Sequence, residues 1–261
     1  MQKILLPEAN NDFIQTALPA LRKFCEPEAT AMELATACQQ LKDGTADAML
    51  AGIDWSSRDV ILACRDELGM LANHQVFSSL FVVDLPDGRR YILSDGATCK
   101  HPTVSQLTEI VELVHAAAEK LLDDTPRVAL LSFSSFGSGG KDTTIDLARD
   151  VLAELHQKHP QMLVDGEMQL DAAVNPRIAE KKAPADSPVA GRANVLIAPD
   201  INAGNILYKA FEQFASAKVA GPILLGFQAP VSDLSRGSTV EDIVFTAQCL
   251  LRLASPSQAA S

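Results

Sequence analysis

An α/β fold with a mainly parallel sheet is predicted by two observations. From Val128 onward, short apolar strand-like runs alternate with single helical segments. That order implies right-handed crossovers and strands covered on both faces. The 261 residues are 47% hydrophobic and 21% charged, which is ordinary globular composition with enough apolar side chain for a sizeable core.

Lys3–Pro7 reads as a short buried strand ended by proline. Asp12–Phe24 has helical spacing, with Pro19 set to kink or divide it. Ala29–Leu41 carries a broad apolar stripe and ends at Lys42-Asp43-Gly44. Ala48–Ile53 is a buried strand, and Ser56 or Ser57 caps a helix over Asp59–Leu68. Gln75–Asp84 is β-branched and aromatic, Pro86-Asp87-Gly88 is a turn signal, and Arg90–Leu93 returns as a hairpin. Thr103–Leu122 is the clearest helix, with Leu107, Ile110, Val111, Val114, Ala118 and Leu121 on one face. The alternating part then gives strands at 128–133, 162–164, 194–198 and 223–225, and helices at 142–156, 170–180, 204–215 and 240–254. The tail SPSQAAS reads as frayed. Asp123–Pro126 is a candidate junction between a first lobe, 1–124, and a second, 125–261; one single domain also fits.

The net charge of −11 argues against nucleic acid or an anionic membrane surface as the main partner. No apolar run reaches membrane-spanning length, and no signal-peptide pattern opens the chain. The five cysteines are scattered, without C-x-x-C or zinc spacing, and read as small buried side chains of a reduced, cytoplasmic protein. No metal site is expected.

Chemistry is concentrated in loops that follow strands, where ligands collect in parallel α/β folds. Ser132–Gly140 (SFSSFGSGG) combines Ser134, Ser135, Gly137 and Ser138. Small residues let backbone N–H groups approach a phosphate, although the run matches neither a Walker loop nor a dinucleotide fingerprint and also fits a plain turn. In Ala198–Asn205 (APDINAGN), Asn202 or Ala203 opens the next helix. The third loop joins Ser235 and Arg236 to Gly237 and a helix start. Ser238-x-x-Glu241 and Thr239-x-x-Asp242 both fit a capping box there. An arginine fork at a helix start suits phosphate, and Ser235 and Asp242 share a face if both lie in the first turns. A capped helix beside a solvated arginine fits the same residues. Asp165, Glu167 and Asp171 form a carboxylate cluster, read either as Mg²⁺ ligands or as hydrogen-bonded loop groups. No nucleophile elbow is present, and carboxylate is the available proton-transfer group.

DGEMQLDAAV (165–174), SPVAGRANVLIAPDINAGNILYKAF (187–211) and GPILLGFQAPVSDLSRGSTVEDIV (221–244) resemble the phosphate acetyl/butyryl transferases, the phosphotransacetylase family. The likeness runs from about Ala46 to Leu251, with KILLPE (3–8) similar to the family's opening strand. It implies an isocitrate/isopropylmalate dehydrogenase-like fold with two α/β lobes and an interlobe cleft, and a homodimer. It implies reversible transfer of a short acyl group (acetyl, propionyl or butyryl) between acyl phosphate and coenzyme A. Coenzyme A is then a substrate, with no permanently bound cofactor. By resemblance, Arg236 binds the phosphoryl oxygens, Asp242 takes the thiol proton, and Ser235 orients the thiol or stabilises the oxyanion. The resemblance also implies a longer first lobe with an arginine that is absent here. A second family arginine aligns with Leu62, and Arg58, one helical turn earlier, is the candidate substitute. These departures motivate a second reading, a catalytically weak or silent homologue that binds acyl-CoA or a related ligand as a regulatory or partner protein.

Overall fold

The computed structural model describes residues 1–255, so the frayed-tail reading lies, Ser255 apart, outside the described residues. β1 (Lys3–Leu6) leads to α1 (Asp12–Leu21), where the Asn11 side chain accepts from the Phe13 N–H. α1 continues through Pro19, because Ile14, Ala17, Leu18 and Leu21 are all buried and their packing outweighs one lost backbone bond. A strand that the sequence pattern hides comes next. β2 (Glu26–Ala29) pairs in parallel with β1, and α2 (Leu34–Lys42) starts later than the expected Ala29. Pro27 is tolerated because β2 is an edge strand.

β3 (Ala48–Ala51) is followed by α3 (Ser57–Ala63). Ser56, one of the two candidates, is its cap, accepting from Asp59 N at 3.2 Å. A π turn over Cys64–Leu68 ends the helix. β4 (Ser78–Asp84), β5 (Arg90–Ser94) and α4 (Val104–Leu121) match the expected hairpin and long helix, with Thr103 and Gln106 closing a capping box. β6 (Val128–Leu131) and α5 (Thr143–Lys158) follow.

β7 (Val164–Met168) contains Asp165 and Glu167, which are therefore strand residues and not loop carboxylates. The helix expected over 170–180 is two pieces, α6 (Leu170–Val174) and α7 (Pro176–Lys182). Asn175 caps the second and Pro176 opens it, so the break is local capping chemistry. β8 (Val195–Ile197) leads to α8 (Ile201–Ala215), which is opened by Asp200 and not by Asn202 or Ala203; Asp200 Oδ1 accepts from Ala203 N at 2.9 Å. β9 (Lys218–Leu225), β10 (Val231–Asp233) and α9 (Val240–Ala254) complete the chain. β10 was not expected, since three residues carry no periodicity. It forms because Val231–Asp233 pair in parallel with Met49–Ala51 and Val231–Ser232 pair antiparallel to Ile223–Leu224.

The chain forms two compact units. Unit 1 is Met1–Val82 together with the segment from Lys218, and unit 2 is Val83–Ala217. The division falls at 82/83 and 217/218, not at 124/125, because β10 inserts beside β3 and brings the C-terminal segment into the N-terminal sheet. The Ser235-Arg236 motif therefore belongs to the unit built on β1 and β3. In unit 1 the strand order is β2-β1-β3-β10-β9-β4, parallel except where β10 meets β9 among the pairs described. Leu5, Met49, Leu68 and Val231 sit in its core. In unit 2 the order is β5-β8-β6-β7, all parallel. Both units have the expected α/β architecture. Among the described residues no helix is long and apolar enough to cross a membrane, and no group of three or more His, Cys, Asp or Glu side chains is arranged to hold a metal ion.

Candidate functional site

In unit 1, β1, β3 and β10 are neighbours and run in parallel, so their carboxyl ends lie on one edge. β10 ends at Asp233, and Ser235 and Arg236 follow after the buried Leu234, both exposed. Ser235 sits in a turn closed by Ser238 N on its carbonyl at 2.9 Å, and its Oγ accepts from Gly237 N at 3.3 Å. It lies before the helix and not in its first turns, so the condition for Ser235 and Asp242 to share a helical face is not met. α9 starts at Val240 with Thr239 as its cap. Of the two capping boxes that the sequence permits, Thr239/Asp242 is the one formed. Asp242 Oδ2 accepts from Thr239 N and Thr239 Oγ1, each at 2.8 Å, and Thr239 Oγ1 accepts from Asp242 N at 3.2 Å. This leaves Oδ1 outside the box. The catalytic candidates are thus held on a short turn and a rigid helix start that follow one strand.

Arg58 is exposed on the first turn of α3, after the neighbouring strand β3. Leu62 is one turn further along and partly buried. The loop between β3 and α3 is clasped from β1. Glu8, 6% exposed, accepts from Ile53 N, Asp54 N and Trp55 N at 3.2, 2.6 and 2.9 Å.

In unit 2 the Ser/Gly loop follows β6. Ser134 Oγ donates to Glu167 Oε1 at 2.9 Å and accepts from Gly139 N at 2.9 Å. Ser135 Oγ accepts from Gln169 N at 3.0 Å, and Ser138 Oγ accepts from Ser135 N at 3.0 Å. Gly137 N donates to Glu167 Oε1 at 2.7 Å. The hydroxyls of Ser134, Ser135 and Ser138 therefore shape the loop itself. Asn202 lies exposed in the first turn of α8, after β8.

Sequence reasoning missed how buried carboxylates organise these loops. Glu167 is 1% exposed and pairs with Arg149 at 3.2 Å. Burial pushes its pKa up, but the Gly137 N–H, the Ser134 hydroxyl and the Arg149 charge outweigh burial and hold the carboxyl below its ordinary range. Asp95 accepts from Ala97 N, Thr98 N and Cys99 N at 2.9, 3.1 and 2.8 Å and so winds the loop after β5. Asp233 is 4% exposed, and its Oδ1 has no hydrogen-bond partner among the described residues. Acidic residues at strand ends were the available signal, but their burial depends on contacts distant in sequence. Asp171, the remaining member of the supposed cluster, pairs with Lys182 at 2.8 Å.

The family model described as Phosphate acetyl/butaryl transferase matches residues 26–250. The chain belongs to this family. The phosphate acetyltransferase of Treponema pallidum is 41% identical to it over 224 residues, covering 83% of this chain and 66% of that protein. That of Corynebacterium glutamicum is 44% identical over 204 residues, covering 78% and 61%. The matched region of this family member thus spans less than two thirds of either relative. The crystal structure of a phosphotransacetylase from Streptococcus pyogenes superposes with a TM-score of 0.85 at 28% identity, covering 97% of this chain and 94% of that one. A 4-hydroxythreonine-4-phosphate dehydrogenase from Klebsiella pneumoniae shares the fold alone, with a TM-score of 0.54 at 12% identity over 85% and 69% of the two chains. The dehydrogenase-like architecture expected from the sequence agrees with that likeness.

Proposed function

We propose that this chain catalyses the reversible transfer of a short acyl group, acetyl in the first instance, between acyl phosphate and coenzyme A. Membership of the family supports the reaction class. The observation that carries the reading is the motif at the end of β10: an exposed serine and arginine on a tight turn, followed by a capped helix whose capping carboxylate keeps one oxygen outside the cap.

In this reading Arg236 binds the phosphoryl oxygens, for which its planar fork is suited, and Arg58 on the adjacent strand end adds a second positive charge. The coenzyme A thiol gives its proton to Asp242 as its sulfur attacks the acyl carbon. A C–S bond forms, the bond from that carbon to the phosphate oxygen breaks, and inorganic phosphate leaves. Ser235 orients the thiol or donates to the oxyanion that develops on the carbonyl. No covalent enzyme intermediate forms. Asn202, exposed at the start of α8, is read as a substrate-binding residue of unit 2; the backbone N–H groups of residues 134–140 are taken up within their own loop and by Ser132 and Glu167.

The active form is read as a homodimer in the cytoplasm. Ile206 and Phe214, 68% and 90% exposed on α8, are apolar surface that a second copy would cover. The acidic composition and the five free cysteines agree with a reducing compartment. Incubation with acetyl, propionyl and butyryl phosphate in the presence of coenzyme A tests the reaction. Thioester formation with at least one of them is expected. Binding of acetyl-CoA without turnover would replace this reading with that of a silent homologue.

A further inference from the structure

Asp233 is the last residue of β10 and directly precedes Leu234-Ser235-Arg236. Its carboxyl is buried, whereas Ser235 and Arg236 are exposed. Oδ1 is buried and has no hydrogen-bond partner among the described residues. The groups around it come from four other segments. Gly52, just past β3, presses against it: a Cβ on Gly52 would lie 2.3 Å from Asp233 Oδ1 and 2.8 Å from Leu234 N. Ser57, the first residue of α3, faces the carboxyl with its hydroxyl, Glu8 at the end of β1 adds a like charge, and the Cys64 thiol lies within electrostatic range. Burial, only partly offset by Ser57 and reinforced by Glu8, pushes the carboxyl up to about 6. A buried carboxyl with an unpartnered oxygen and an acidic neighbour is poor for stability; an apolar or amide side chain would serve a purely structural role better. Polar groups kept at such a cost point to function.

The positions of its neighbours indicate which function. Gly52 and Ser57 bracket the loop that delivers Arg58. Leu234 N donates to Ala51 O at 2.6 Å, which joins the same loop to the turn that delivers Ser235 and Arg236. Building on the acyltransfer reading, we propose that Asp233 is a positioning residue. Packed on Gly52 and facing Ser57, it sets the start of α3, with Arg58, against the turn that carries Ser235 and Arg236, so that both arginines meet one phosphoryl group. It touches no substrate itself.

The test uses the full chain and the variants Asp233→Asn, Asp233→Ala and Ser57→Ala. Hydrogen exchange at residues 53–58 and 234–238 reports positioning whether or not the protein turns over. We expect exchange there to rise about tenfold in Asp233→Ala and in Ser57→Ala, with the rest of unit 1 unchanged. KM for acetyl phosphate should rise by a similar factor, with kcat changed less, and Asp233→Asn should recover part of both. Wild-type exchange rates in the folded Asp233→Asn and Ser57→Ala proteins would overturn the proposal. So would losses of activity that follow only the fraction folded. Absence of turnover in the wild type would sink the acyltransfer reading, and the exchange comparison would still decide for or against the positioning role.

Discussion

Thr239 and Asp242 each satisfy the other's backbone: the Asp242 carboxylate accepts from Thr239 N at 2.8 Å, and the Thr239 hydroxyl accepts from Asp242 N at 3.2 Å. A group proposed as the general base is therefore also part of a helix cap. Thr239→Ala removes the cap and should cost about 1 kcal/mol of stability. It should also lower kcat more than it changes either KM, because Asp242 loses its orientation. Thr239→Ser should restore both. Thermal denaturation and initial rates on the three proteins check this, and a full loss of kcat in Thr239→Ser would count against it.

Glu167 anchors the Ser/Gly loop from beneath. Its removal in Glu167→Ala strands the Gly137 N–H and the Ser134 hydroxyl and should destabilise the protein by about 3 kcal/mol. The carboxyl is held below its ordinary value of 4.5 in the fold, so its contribution is complete above that value and is lost as pH falls through the lower folded value. Denaturant titrations across the acid range should show a steeper loss for wild type than for Glu167→Gln.

The sign is opposite for Asp233, raised from 3.8 to about 6. The favourable protonated form is present below the unfolded value and is lost as pH rises through the folded one. A shift of about 2 units corresponds to roughly 3 kcal/mol. Asp233→Asn, neutral throughout, should therefore gain stability relative to wild type between about pH 4 and pH 8, by up to that amount. Denaturant midpoints that track each other across this range would refute the argument.

Gly204 lies in α8 where a Cβ would come within 2.0 Å of the Asp95 carbonyl oxygen. Neither that backbone nor the helix can yield cheaply. Gly204→Ala should therefore destabilise the protein by about 1–3 kcal/mol despite the better helix propensity of alanine. A raised melting temperature would show that α8 can move away from the loop after β5.

The parts of the fold that the sequence revealed are those with a period or a strong cap. α4, with its stripe from Leu107 to Leu121, and the β6-to-α9 alternation are of this kind. β2 and β10 were hidden because Glu-Pro-Glu-Ala and Val-Ser-Asp have no strand pattern; both exist through pairing with β1 and β3. The same pairing moved the division between units, since it draws the C-terminal segment back to the N-terminal strands. In the candidate site, Ser235, Arg236 and Asp242 are close in sequence and form one motif that stands out without the structure. The buried carboxylates that hold loops in each unit do not stand out in this way. Glu8 acts on residues 53–55, and Glu167 acts on residues 134 and 137; no local pattern announces contacts over such separations.

The central claim is that Arg236 and its neighbours carry out acyl transfer between phosphate and coenzyme A. The most direct measurement is the rate of thioester formation from acetyl phosphate and coenzyme A by wild type and by Arg236→Ala, with folding of both checked by thermal denaturation. The account predicts turnover by wild type and a fall of about 100-fold or more in the variant, as for loss of a charged transition-state contact. A folded wild-type protein without turnover, or an Arg236→Ala protein as active as wild type, would contradict it.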